Sequence, residues 1–360
     1  MFDIQINKED IKNFFCKKYK KNGIIHKRLL GITLEYVKGS VYMEFAHILE
    51  FVKPIVNCTE IEQYIRDFRI KSKKHKISAV VYKKDYQIVK TIIEKIEPSD
   101  LPPITGNLRT LQLETLNFAK KILTDLKNNT NVEIWLDGGS LLGAIRHRGF
   151  IPWDDDMDFA TIRKYYKNLI QYFESKYIVI DTKEWHKSSY SKKIKEIVAK
   201  YPNQVLAVKT FDAYKIIKGT PEKFVILDFF AWDYYDDFHN VVTLQEYSEN
   251  INEKITNLRV YKDIFALYEK ELKESNNIVE KSNVMAPGID NHGFCSYSRK
   301  DIVRHNDIFP LKKVKFEDWE FYVPQNSHVY LKSLYNFYNK IPLNALNIMA
   351  HVNVKNLNEE

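Results

Sequence analysis

The sequence predicts an α+β chain in two parts, a small basic N-terminal α/β domain over residues 1–100 and a larger domain over residues 105–360. Short β-type apolar runs sit beside stretches of helical periodicity. The stretch Glu97-Pro98-Ser99-Asp100-Leu101-Pro102-Pro103 places three prolines where neither a helix nor a central strand can continue, which marks a linker. At 360 residues the chain is long enough for two ordinary domains.

In the first part, apolar runs at 29–37 and 41–45 flank Lys38-Gly39-Ser40 and predict a hairpin between Arg28 and Phe45. Residues 60–70 have helical periodicity, 77–82 form a short β-type run, and 86–96 read as a helix. Past the linker, Leu108, Leu111, Leu116, Ala119, Ile122, Leu123 and Leu126 form the stripe of an amphipathic helix, which the polar residues 127–130 end. A strand at 132–136 then leads into Asp137-Gly138-Gly139-Ser140, and Leu141 to Arg146 starts a helix.

Composition narrows the class. With 44% hydrophobic and 28% charged residues the chain is neither disordered nor fibrous. Cys16, Cys58 and Cys295 lie far apart, so neither a zinc knuckle nor a disulfide framework is suggested, and a reducing, cytoplasmic setting is expected. Residues 1–10 do not read as a signal peptide, and no apolar run approaches the roughly 18 residues of a membrane span. The net charge is +8, densest at 17–27 and 71–76. Such clusters fit a solvated lysine-rich surface or peripheral contact with an anionic membrane at its inner face, and no RNA-module signature favours nucleic acid.

Chemistry concentrates between residues 137 and 158. Four of the eleven glycines, Gly138, Gly139, Gly143 and Gly149, fall in this short stretch, as expected where backbone must approach a neighbour closely or adopt positive φ. The expected beneficiary is a phosphate held by backbone N–H groups, a helix N-terminus and the Ser140 hydroxyl. The alternative is a purely structural turn. Next comes Trp153-Asp154-Asp155-Asp156-Met157-Asp158-Phe159. If it is extended, Asp154, Asp156 and Asp158 share one face and Asp155 points away and is dispensable. Like charges so close either raise their pKa values or bind a cation, and an all-oxygen set suits Mg²⁺ or Mn²⁺. A calcium-binding EF-hand loop is excluded by Phe159 and Tyr165, where it needs glycine and glutamate.

A metal site of this kind needs a further carboxylate on a neighbouring strand, as ligand or general base. Asp228 is the candidate, a lone charge in the apolar run Phe224-Val225-Ile226-Leu227-Asp228-Phe229-Phe230, and Asp233 is the alternative. Arg146 is the expected phosphate fork, with His147, Arg148, Lys209 and Lys215 as further cations.

Trp135-Leu136-Asp137-Gly138-Gly139-Ser140-Leu141-Leu142-Gly143-Ala144-Ile145-Arg146-His147, followed by Gly149-Phe150-Ile151-Pro152-Trp153-Asp154-Asp155-Asp156-Met157-Asp158, closely resembles the LicD family, which includes the fukutin-type transferases. Leu108-Arg109-Thr110-Leu111-Gln112-Leu113-Glu114 belongs to the same resemblance, as does a later block from Ile308 to Phe316, Val323-Pro324 and Tyr330-Leu331. It spans about residues 105–343 and leaves out the first hundred.

The resemblance implies a nucleotidyltransferase-type mixed sheet flanked by helices. The implied activity moves phosphocholine or an alditol phosphate from a CDP-linked donor to a hydroxyl of a cell-surface glycan, free or lipid-linked, and releases CMP. On matching positions it implies metal-binding aspartates at Asp154, Asp156 and Asp158, a phosphate-binding turn at Gly138, Gly139 and Ser140, and a downstream acidic residue at Asp228. The expected catalytic set is therefore Asp156, Asp158 and Asp228. Two alternatives stay open: a nucleotidyltransferase that makes an NDP-activated donor and releases pyrophosphate, and a non-catalytic module that binds metal and glycan or lipid.

Overall fold

The computed structural model describes residues 16–21, 24–29, 32–236, 241–291, 294, 303–335 and 338–341. The chain divides into two compact units, with a break between Leu101 and Pro102 and a second before Lys340, which groups with the first unit.

The first unit holds β1 (Cys16–Lys21), β2 (Ile24–Leu29), β3 (Ile32–Val37), α1 (Val41–Val52), α2 (Ile61–Ser72), β4 (Ile77–Ser78) and α3 (Ala79–Ile93). Its four strands form an antiparallel sheet in the order β1-β2-β3-β4. The expected hairpin arm at 41–45 is instead the start of α1. Tyr42, Phe45, Ala46, Leu49 and Val52 are buried at helical spacing, and a five-residue window is too short to separate that period from a strand's. The expected strand at 77–82 stops after two residues, because the Ser78 hydroxyl accepts the Val81 N–H and caps α3. Of the basic residues near 71–76, Lys71 donates to Asp85 Oδ2 at 2.6 Å, and Asp85 also accepts from the buried Tyr42 hydroxyl at 2.8 Å. The side chains of residues 17–21 lie outside the described residues.

The second unit begins with α4 (Gly106–Asn129), β5 (Trp135–Leu136), α5 (Gly138–His147), β6 (Met157–Ile162), α6 (Arg163–Lys176) and β7 (Ile178–Ile180). Then follow α7 (Tyr190–Lys200), β8 (Leu206–Lys209), β9 (Tyr214–Gly219), β10 (Phe224–Tyr235), α8 (Val241–Asn257) and α9 (Tyr261–Glu274). The remainder is β11 (Ile278–Val279), β12 (Val284–Pro287), β13 (Val303–Arg304), α10 (His305–Ile308), β14 (Lys312–Phe316), β15 (Trp319–Val323) and α11 (Ser327–Tyr335). Helices flank a mixed nine-stranded sheet with β13-β12-β10-β9-β8-β7 in order and β6 against β10.

β10 organises this sheet. It runs parallel to β6 along one register and antiparallel to β9 along another. One of its faces packs into an aromatic core, with Phe229 5.4 Å from Phe159 and 5.0 Å from Phe173 of α6 between ring centroids. A second core gathers Trp185, Val198, Ile251, Tyr261 and Ile264. The expected strand at 132–136 shortens to Trp135–Leu136, and the helix expected from Leu141 already begins at Gly138. The C-terminal block forms the β14–β15 hairpin and α11. The Arg109 guanidinium on α4 reaches Glu317 in the hairpin's turn with two parallel bonds of 2.8 and 2.7 Å. Among the described residues no helix is long and apolar enough to cross a membrane.

Candidate active site

Strand register assembles the site. Asp158 of β6 lies opposite Asp228 of β10, and Asp228 lies opposite Lys215 of β9. Neighbouring strands are about 4.8 Å apart, so these three side chains form a row across the sheet. Asp156 completes the group: Asp156, Asp158 and Asp228 bring carboxylate oxygens within 4.8 Å of one another. Asp154, Asp155 and Asp156 form a second group by the same measure.

Asp228 has two different oxygens. Its Oδ2 accepts from the Lys215 ammonium, a buried ion pair, whereas its Oδ1 is buried with no hydrogen-bond partner among the described residues. Burial drives the Asp228 carboxyl up to about 6 despite the lysine, with the charge of Asp156 adding to the effect. Asp158 is raised well above the usual carboxylate range, first by burial and then by the charges of Asp156, Asp228 and Asp154. Asp154 is raised in the same way by burial and its neighbours Asp156 and Asp155. This is an electrostatically costly arrangement that protons or a cation would relieve.

The glycines serve these carboxylates. Gly138 sits at φ +49°, and a Cβ built on it would lie 2.5 Å from Asp158 Oδ2. One built on Gly139 would lie 2.6 Å from Asp154 Oδ2. The Gly139 N–H donates to Asp158 Oδ2 at 2.9 Å, so the N-terminus of α5 grips a carboxylate, the anion that helix dipole and free N–H groups favour. Ser140 Oγ accepts the Asp158 backbone N–H at 2.9 Å. In this structure the groups expected to hold phosphate therefore position Asp158. Gly138→Ala should cost about 1–3 kcal/mol through its left-handed backbone and the clash with Asp158, read as a lower Tm, and an unchanged Tm would refute this account.

Asp137 is the N-cap of α5. It accepts from Gly138 N–H at 2.7 Å, Tyr330 hydroxyl at 2.8 Å and Trp232 Nε1 at 3.3 Å. Tyr330 of α11 in turn accepts from Trp135 Nε1 at 3.0 Å and stacks on Trp232 at 4.4 Å, which anchors the C-terminal block under the site.

The alternation expected for residues 154–158 fails before Met157. Gln112 Nε2 of α4 takes the carbonyls of Asp154 at 2.8 Å and Ile151 at 3.2 Å, and Thr115 Oγ1 takes that of Asp155 at 3.4 Å. These buried side chains hold the segment as a loop. Asp155 consequently does not point away: it groups with Asp154 and Asp156, and burial pushes its carboxyl up to about 6. Asp154 contributes to that second group and not to the one containing Asp228.

A cavity of ≈ 550 Å³ opens on the row, lined by Asp156, Asp158, Asp228, Gly138 and Lys215 among others. Sequence reasoning missed Lys187, Tyr190, Phe211, Asp212, Asn291 and Tyr335, which complete much of its wall. No motif signals those six; the β9–β10 hairpin around Gly219-Thr220-Pro221 could only have set Lys215, already a candidate cation, against Asp228. Arg146 does not line the cavity. It donates to the Tyr338 carbonyl at 2.7 Å and to His147 Nε2 at 2.9 Å, and burial lowers it to about 10 while nearby Tyr335 and Asp154 favour its charge. Lys209 lies over the Phe265 ring, away from the cavity lining. Asp233, the alternative to Asp228, is five residues along β10 and so on the other face, where Arg163 holds both its oxygens at 2.7 Å.

Residues 131–239 match the family described as "LicD/FKTN/FKRP, nucleotidyltransferase domain". The lipopolysaccharide cholinephosphotransferase LicD of Haemophilus influenzae is 32% identical over 129 residues, which cover 35% of this chain and 44% of that protein. The ribitol 5-phosphate transferases FKRP of Mus musculus and Homo sapiens are each 42% identical over 48 residues, 13% of this chain and 10% of theirs. The matches thus span less than half the length of these curated relatives.

Proposed function

We propose, from this chain's place in the LicD family, which residues 131–239 carry, that it transfers a phosphate-bearing group from a CDP-linked donor to a hydroxyl of a glycan and releases CMP. Support for group transfer comes from the relatives named for moving phosphocholine and ribitol 5-phosphate. The observation that carries the chemistry is Asp228 Oδ1, buried and unpartnered beside the carboxylates of Asp156 and Asp158. A buried acceptor with no donor is costly, and a cation satisfies it together with its like-charged neighbours.

The donor set fits a hard divalent cation. Asp156, Asp158 and Asp228 would hold Mg²⁺ or Mn²⁺, with Asp154 close by. When bound, such an ion polarises phosphoryl oxygens and offsets the charge that builds on them. The chain's own groups prepare the place for it. Lys215 holds Asp228 Oδ2 and so turns Oδ1 toward the site, while Gly139 N–H fixes Asp158. Asp228 would serve as a ligand rather than as the base for the attacking hydroxyl, since Lys215 occupies Oδ2 and the cation would take Oδ1.

Product analysis is the test. Incubation with a CDP-linked donor, Mg²⁺ and a glycan acceptor should yield CMP, and chelation should stop it. Release of pyrophosphate from a nucleoside triphosphate instead would favour a nucleotidyltransferase proper, and no turnover of either would favour a binding module.

A further inference from the structure

We infer that Asp212 is the general base of the transfer, the carboxylate that takes the proton of the attacking hydroxyl; the inference rests on the transfer reading above. With Asp228 as a ligand, that reading has no acceptor for this proton. A general base must carry a free lone pair and stand in the cavity where the hydroxyl attacks. Few of the described lining residues qualify. Asp156, Asp158 and Asp228 are committed to the cation. Asp137 caps a helix and already accepts three hydrogen bonds. Lys187, Lys215, Asn291, Tyr190 and Tyr335 are poor bases, since an ammonium has no lone pair and amide and phenol oxygens are weakly basic. Asp212 remains.

Its surroundings suit that role. Asp212 lies half-buried in the turn between β8 and β9, with Oδ1 accepting from the Thr210 hydroxyl at 2.8 Å and Oδ2 without a hydrogen bond among the described residues. The turn closes without this carboxylate. Thr210 N–H donates to the Ala213 carbonyl at 2.9 Å, and Thr210 Oγ1 accepts the Ala213 N–H at 3.2 Å. The Asp212 charge acts on both Lys215 and Asp228, which puts it within electrostatic range of the carboxylate row. In the step, Asp212 takes the hydroxyl proton as the acceptor oxygen bonds to the phosphorus of the transferred group. The bond from that phosphorus to the bridging oxygen breaks, and CMP leaves with its electron pair.

The experiment uses the full chain with Mg²⁺ and, in turn, CDP-choline, CDP-ribitol and CDP-glycerol, and reads CMP release with water or a glycan as the attacking hydroxyl. Asp212→Asn should lower kcat by about 10²–10⁴-fold, the usual share of a positioned base, while calorimetric binding of Mg²⁺ and donor changes by less than about fivefold and Tm stays within a few degrees. Asp212→Ala should be similarly slow and regain at least about tenfold with added formate, which supplies the missing carboxylate and should not speed the wild type. Three results would overturn the inference and leave the transfer reading standing: near wild-type kcat in Asp212→Asn, a loss of donor or Mg²⁺ affinity as large as the loss in kcat, or an Asp212→Ala rate that formate leaves unchanged. CMP from none of the three donors with the wild-type chain would overturn the transfer reading, and this inference with it.

Discussion

Asp158→Asn is expected to lose about 10²–10³-fold in CMP release, the order of loss seen when one preorganised charge-stabilising group is removed. The same variant should unfold at a higher temperature than the metal-free wild type. In the wild type Asp158 is half-buried among Asp156, Asp228 and Asp154, and its pKa lies above the unfolded value. A carboxyl raised on folding binds more protons in the folded state. Its ionisation therefore costs stability, increasingly so as pH rises from the unfolded pKa through the folded one.

For Asp228 and Asp155, both pushed up to about 6, that interval runs from about pH 4 to about pH 6. The metal-free wild type should accordingly be less stable at pH 7 than at pH 5, and Mg²⁺ should restore the difference. Asparagine at 158 can keep an oxygen toward the Gly139 N–H while removing one charge. Thermal unfolding at the two pH values, with and without Mg²⁺, checks this. A variant that gains as much from Mg²⁺ as the wild type, or turns over at its rate, would remove Asp158 from the proposed metal site.

What could be read from the sequence depended on how local its cause was. The stripe of α4 is local, and it is where it was expected. Asp228 was legible because a lone charge in an apolar strand needs a partner. Its particular partners were not, since Lys215 and Asp158 face it through the registers of two different strand pairs. Asp155 was misjudged for a similar reason. The loop that turns it toward Asp154 and Asp156 is held by Gln112 and Thr115, which are some forty residues earlier on another helix. Ser140 looked like a phosphate ligand because its hydroxyl precedes a helix, but β6 passes close enough for that oxygen to accept the Asp158 N–H. The cavity wall beyond the carboxylates comes from segments without a motif.

Arg163→Met should destabilise the second unit strongly, by about 3–5 kcal/mol. Arg163, the first residue of α6, is held between Asp233 and Asp290 by four bonds of 2.6–2.8 Å. The Asp233 side chain is fully buried, so methionine would leave two carboxylates without a counter-charge in a water-poor site. Burial alone would raise Asp290, yet Arg163 holds it below the usual carboxylate range. Its share of the stability is therefore present above the unfolded pKa of about 3.9 and lost as pH falls through the folded value. The triad also reaches the cavity. Gly288 N–H donates to the Ala231 carbonyl at 2.8 Å, Asn291 Nδ2 donates to the same oxygen at 3.3 Å, and Asn291 lines the cavity. Releasing Asp290 should thus loosen the cavity wall and, if the cavity takes the donor as proposed, raise KM even below the lowered Tm. Denaturant unfolding gives the first number and steady-state kinetics the second. Adding Asp233→Asn and Asp290→Asn to Arg163→Met should recover much of the stability, because the cost lies in the uncompensated charges. Failure of that recovery would assign the loss to packing.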